Sequence, residues 1–161
     1  MREDEIVANI DKEKILIEEI KVVQDIIKRM ANNSFNVKTW TITLVVATLL
    51  FKGSSNHTFV AFIPLIAFWF LDSYYLQQER LFRKVHNWII EYRPNNDDKL
   101  FNMNPMPFKN DVQSVLRIMF SVSTLPFYGG IFIMLVSYLS IEYFEYIKCI
   151  KKIISICIGG Q

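Results

Sequence analysis

The stretch IMFSVSTLPFYGGIFIMLVSYLSI, residues 118–141, contains no charged side chain. Its roughly 24 residues, at 1.5 Å of rise each, are enough for a helix to cross about 30 Å of hydrocarbon. Two further apolar runs stand upstream, residues 37–51 and 58–71, separated by the turn Gly53-Ser54-Ser55-Asn56-His57. A soluble domain spreads its apolar residues as stripes, whereas here they are gathered into blocks with charged stretches between them. The expected fold is an all-α integral membrane protein: a transmembrane helical hairpin, extended by cytoplasmic amphipathic helices, with a third span near the C-terminus.

Four segments follow from this reading. Residues 1–36 form a cytoplasmic amphipathic helix, 37–72 the hairpin, 73–111 a cytoplasmic helix and loop, and 112–161 the last span with a cationic amphipathic tail. In the first segment Leu16, Ile20, Val23, Ile27 and Met30 are spaced as a short heptad seam, able to pack on other helices of its own domain or of a neighbouring subunit. Asn32-Asn33-Ser34 suits a helix N-cap, so a break is expected there. Lys38 and Trp40 are read as a snorkelling lysine and an interfacial indole. From Thr58 the helical pattern continues past Pro64, Trp69 and Asp72 to Tyr92, predicting one long helix whose lower half leaves the bilayer. Arg93-Pro94-Asn95-Asn96 stops it. Residues 94–111 have no regular period. The third span is expected over about residues 119–143, with Pro126 permitting a bend and Gly129-Gly130 a close helix approach. Residues 147–161 are expected to form a separate interfacial helix ending at Gly159-Gly160.

Basic residues crowd the segments before the first span and between the second and third, while the hairpin turn carries none. This predicts a multi-pass membrane protein with the N-terminus and middle segment in the cytoplasm and the hairpin tip outside. An odd number of spans then puts Lys148, Lys151 and Lys152 outside, where they are disfavoured. Splitting residues 112–146 at Phe127-Tyr128-Gly129-Gly130 into two short spans would remove that conflict.

The residues offer little chemistry. With a net charge of +2 and no cationic stripe interleaved with aromatics, the chain has no nucleic-acid signature. No signal-peptide pattern follows the charged first residues, so the first span is expected to act as the insertion signal. His57 and His86 fall on opposite sides of the predicted membrane, and no metal-ligand spacing or phosphate loop is present. No enzyme and no cofactor are expected. Cys149 and Cys157 lie about 12 Å apart along one helix, too far to bridge. They read as small apolar residues, or else as sites of intermolecular pairing or lipidation. Asp72 is the one acid at a membrane boundary: either capped by water or a nearby arginine, or a gating or ion-contacting group at a pore mouth. Thr41 and Thr48 share a helix face that could line a hydrated path, or bond to carbonyls of their own helix. A three-span monomer cannot enclose a channel of ionic width, so a pore would require a homo-oligomer.

One group of motifs carries a likeness: Arg29-Met30-Ala31-Asn32-Asn33-Ser34-Phe35 with Lys38 and Trp40, then Phe68-Trp69-Phe70-Leu71-Asp72 with Tyr75, then Glu79-Arg80-Leu81-Phe82-Arg83. Over residues 25–90 the chain resembles small bacterial membrane proteins with a transmembrane hairpin and cytoplasmic helices. Its arrangement is similar to the SLATT-type effector domains of bacterial conflict systems. The resemblance implies an oligomeric effector that permeabilises or depolarises the inner membrane in antiphage defence when a cytoplasmic sensor or partner protein is triggered. The extra C-terminal span and cationic tail depart from the SLATT pattern. The other reading is a membrane anchor or scaffold that holds a cytoplasmic partner at the bilayer.

Overall fold

The computed structural model describes residues 3–50, 57–96 and 101–158. The hairpin turn at 53–56, Lys52 beside it, and Gly159 and Gly160 lie outside the described residues. The fold is all-α, without a strand among the described residues. Helix α1 runs over Glu3–Leu50, 48 residues or about 72 Å. The short α2, His57–Val60, leads into α3, Phe62–Tyr92. Two 3-10 turns follow, Arg93–Asn95 and Met106–Asp111, then the five-residue α4, Val115–Met119, and finally α5, Leu125–Ile158.

The expected break at Asn32-Asn33-Ser34 does not occur; α1 is helical straight through it. The Ser34 hydroxyl is engaged by side chains of α1 and α3, so it does not compete for the backbone. Packing of the hairpin outweighs the modest propensity penalty of two asparagines. The expected helix from Thr58 to Tyr92 is present with one interruption, at Ala61. Pro64 accounts for it. Proline has no N–H and its ring crowds the carbonyl one turn back, so the long helix restarts at Phe62 with Pro64 inside its first turn.

Pro126 likewise stands at the second position of α5, where its missing N–H costs nothing; it starts the helix and does not bend it. The segment expected as one span from Met119 is therefore divided. Ser114 caps α4, its Oγ accepting from the Arg117 N–H at 3.4 Å, and residues 120–124 form a turn before α5. Beyond that turn α5 is unbroken for 34 residues, about 51 Å. It passes through Phe127-Tyr128-Gly129-Gly130 without a split, and the tail is its continuation with no separate helix.

Helices α1 and α3 lie antiparallel. In the lower half the heptad seam of α1 meets α3 within the same chain: Val23, Val85 and Ile89 are buried, with Leu16, Ile20, Ile27, Phe82 and Trp88 packed around them. Met30, half-buried, ends the seam. Burying one such side chain contributes about 1.5–3 kcal/mol. In the upper half α5 joins as a third helix. Val45, Ala61, Leu65, Tyr128 and Leu135 form its core. Phe132 meets Phe62 edge-on at 5.5 Å, and Trp69 stacks on Tyr128 at 5.7 Å, so α5 runs antiparallel to α3.

Among the described residues one helix, α5, is long and apolar enough to cross a membrane, over Leu125–Lys152, with a mean hydropathy of 1.5. The apolar parts of α1 and α3 are shorter, because Lys38 and Asp72 bound them at one end and the turn bounds them at the other.

Candidate functional site

The level where α1, α3 and α5 first meet holds a buried polar layer centred on Asp72. The Asp72 side chain is fully buried, and that of Lys38 is 26% exposed. Lys38 Nζ donates to Asp72 Oδ1 at 2.8 Å and to Ser34 Oγ at 2.9 Å. Ser34 Oγ in turn donates to Asp72 Oδ1. The same ammonium lies 2.7 Å from Oδ2, so both carboxylate oxygens face the lysine.

Ser34, Lys38 and Thr41 recur at helical spacing on one face of α1, which is why all three meet this layer. Thr41 is wholly buried and donates to the Val37 carbonyl at 2.7 Å. Tyr128, also wholly buried, enters from α5 beside Thr41 and Asp72, its hydroxyl 3.4 Å from the Phe68 carbonyl. Trp69 Nε1 donates to the Met119 carbonyl at 2.9 Å, and Thr124 Oγ1 donates to the Met119 carbonyl at 2.8 Å. These bonds fix the turn between α4 and α5 against α3. The layer thus contains one carboxylate, one ammonium, four hydroxyls and an indole, tying three helices at the foot of the apolar half. Loss of the Lys38 ammonium would leave the Asp72 carboxylate buried and unmatched.

Of the residues singled out from sequence, Asp72 and Thr41 belong to this layer. The capping group of Asp72 is a lysine of α1, not an arginine. Lys38, read as snorkelling outward, turns inward to it. Thr48 stands two turns above, half-buried, donating to the Leu44 carbonyl at 2.7 Å. Between the two threonines Val45 is buried against Leu65 and Tyr128, so in a single chain this face is covered by protein. Gly129 and Gly130 mark no close helix approach within the chain. A Cβ on Gly129 would meet only Leu125 Cδ1 at an ordinary 3.8 Å, and one on Gly130 would meet nothing within 4 Å.

A second buried ion pair ties the lower end. Arg93 Nε donates to Glu19 Oε2 at 3.0 Å, both side chains nearly inaccessible at 4% and 2%. Glu19 Oε1 accepts from the Phe101 N–H, and Phe101 takes a left-handed φ of 54°. This clamp fastens the loop after α3 onto α1. Sequence reasoning missed Ser34, Lys38, Glu19, Arg93 and Tyr128 as members of buried polar sites. A usable signal was present: in an antiparallel hairpin, partners are numbered symmetrically about the turn. Lys38 with Asp72, Gln24 with His86 and Glu19 with Arg93 are each centred near residue 55.

Among the described residues no group of three His, Cys, Asp or Glu side chains is placed to hold a metal ion. Comparisons with models of protein families, with curated proteins and with solved structures find no match.

Proposed function

We propose that the chain is an oligomeric effector of the bacterial inner membrane, which permeabilises or depolarises that membrane when a cytoplasmic sensor or partner acts on its stalk. The observation that carries this reading is the buried Lys38–Asp72 pair. It joins the lower half of the α1–α3 hairpin, the stalk, to the apolar upper half at the level where α5 first meets them. A buried ion pair is a weak stabiliser but a sharp two-state element, because breaking it is strongly unfavourable until the packing around it changes. The exposed apolar surface of α5, including Ile133, Met134 and Ile141, supplies the membrane-facing part. In this reading the hairpin enters the bilayer beside α5, the N-terminus is cytoplasmic, and subunits assemble to line any conducting path. The antiphage setting is supported by the SLATT-type resemblance at residues 25–90.

A second reading is favoured by a specific observation: Thr41 and Val45 are covered within the bundle, leaving no hydroxyl-lined groove in a single chain. An anchor that holds a cytoplasmic partner needs no such groove. Membrane potential, followed with a voltage-sensitive dye in cells expressing the chain alone and with its genomic neighbours, separates the two. The effector reading expects rapid depolarisation that is altered by Asp72→Asn. Protection against phage with a steady potential would reject it in favour of the anchor.

A further inference from the structure

We propose that the face of α3 carrying Arg80 and Lys84, together with the turn leading into α5, binds the phosphate of an anionic lipid headgroup. The proposal rests on the reading of α5 as a membrane span.

Gln77, Arg80, Lys84 and Asn87 recur at steps of three and four, so they share one face of α3. That face meets the segment before α4. Gln77 Nε2 donates to the Gln113 carbonyl at 2.9 Å, and Arg80 donates to Gln113 Oε1 at 3.1 Å and to Ser123 Oγ at 3.3 Å. Between them lies an open cavity of about 280 Å³, lined by Arg80, Arg83, Lys84, Asn87, Gln113 and Asp111. The volume accommodates a phosphate with several waters.

The charges are unevenly committed. Arg83 is held by Glu79 Oε1 at 2.7 and 2.9 Å. Asp111 brings one carboxylate to the rim. Arg80 contacts only uncharged acceptors among the described residues, which leaves most of its five donors for a ligand. A guanidinium with free donors beside an ammonium matches a phosphate's geometry and charge.

Position identifies the source of that phosphate. Ser123, which Arg80 touches, stands two residues before α5 and its apolar span. Near Ser123 in the chain, α4 exposes Leu116 at 65%, and the turn after it exposes Phe120 and Val122 at 66% and 90%. A free anion has no use for apolar side chains beside its site. A lipid does: its phosphate meets the basic residues while its acyl chains cover Phe120 and Val122. Basic pockets at the cytoplasmic end of membrane helices bind anionic headgroups in this way.

The test uses the full chain purified in a neutral detergent, with phosphatidylglycerol and phosphatidylcholine supplied together and retained lipid counted by native mass spectrometry. The wild-type chain is expected to prefer phosphatidylglycerol, and R80Q and K84Q each to lower that preference about five-fold. K148Q/K151Q, which removes as many charges from the far end of α5, is expected to leave it unchanged. An unchanged preference in R80Q/K84Q, with circular dichroism like the wild type, would overturn the proposal. So would displacement of the lipid by inorganic phosphate at equal concentration, which would assign the cavity to a soluble phosphate compound. A chain that stays dispersed without detergent and retains neither lipid would overturn the membrane reading itself.

Discussion

Asp72 and Lys38 are unequal partners, and their inequality is testable. Lys38→Met strands a carboxylate with no access to water, an expected loss of about 3–5 kcal/mol. Asp72→Asn leaves an ammonium whose side chain is already 26% exposed and whose flexible stem can carry it outward. Its loss should be smaller. The double variant removes both charges and should recover part of what Lys38→Met loses. Thermal unfolding of the detergent-solubilised chain, followed by circular dichroism, gives the order. If Asp72→Asn proved the less stable single variant, the burial argument would be wrong.

At the scale of elements, the helices were legible and their ends were not. The spacing of Leu16, Ile20, Val23 and Ile27 disclosed the buried face of α1, and the same residues pack on α3. Asn32-Asn33-Ser34 misled because local propensity is weaker than the packing of a whole hairpin. Pro126 misled because a proline's effect depends on whether it falls inside a helix or in its first turn, which apolarity alone does not reveal. The polar layer was half legible. Asp72 stood out as an acid at a boundary, but its partner lies 34 positions away and emerges only from hairpin register. Gly129 and Gly130 make a separate point. With no clash at Gly129 and open space at Gly130, Ala at either position should stabilise the chain by about 0.5–1 kcal/mol. A thermal melt checks this directly. If cross-linking detects the proposed oligomer and the same variants weaken it, the glycines belong to a contact between subunits.

As a whole molecule, the protein is a hairpin joined by a third helix, α5, that extends beyond its buried contacts with the other two. Leu135 is the last buried side chain of α5 among the described residues, and Ile141, Tyr143, Phe144 and Tyr146 are all at least 60% exposed. Truncation after Ser140 therefore removes none of the upper core, and the melting temperature in detergent should change little. Yet the remaining helix of about 24 Å falls short of the hydrocarbon thickness. Resistance to alkaline carbonate extraction should drop; full resistance would show that the hairpin alone suffices to hold the membrane. The other long helix, α1, has a different consequence. From Glu3 to Leu50 it contains no joint, so it behaves as a torsion rod. If a partner acts on the chain as proposed, a grip near Asp11 meets no hinge that would absorb its effort. In that proposal an angle imposed at the foot would reappear at Thr41 and Val45, and the Lys38–Asp72 pair would be the ratchet that it must slip.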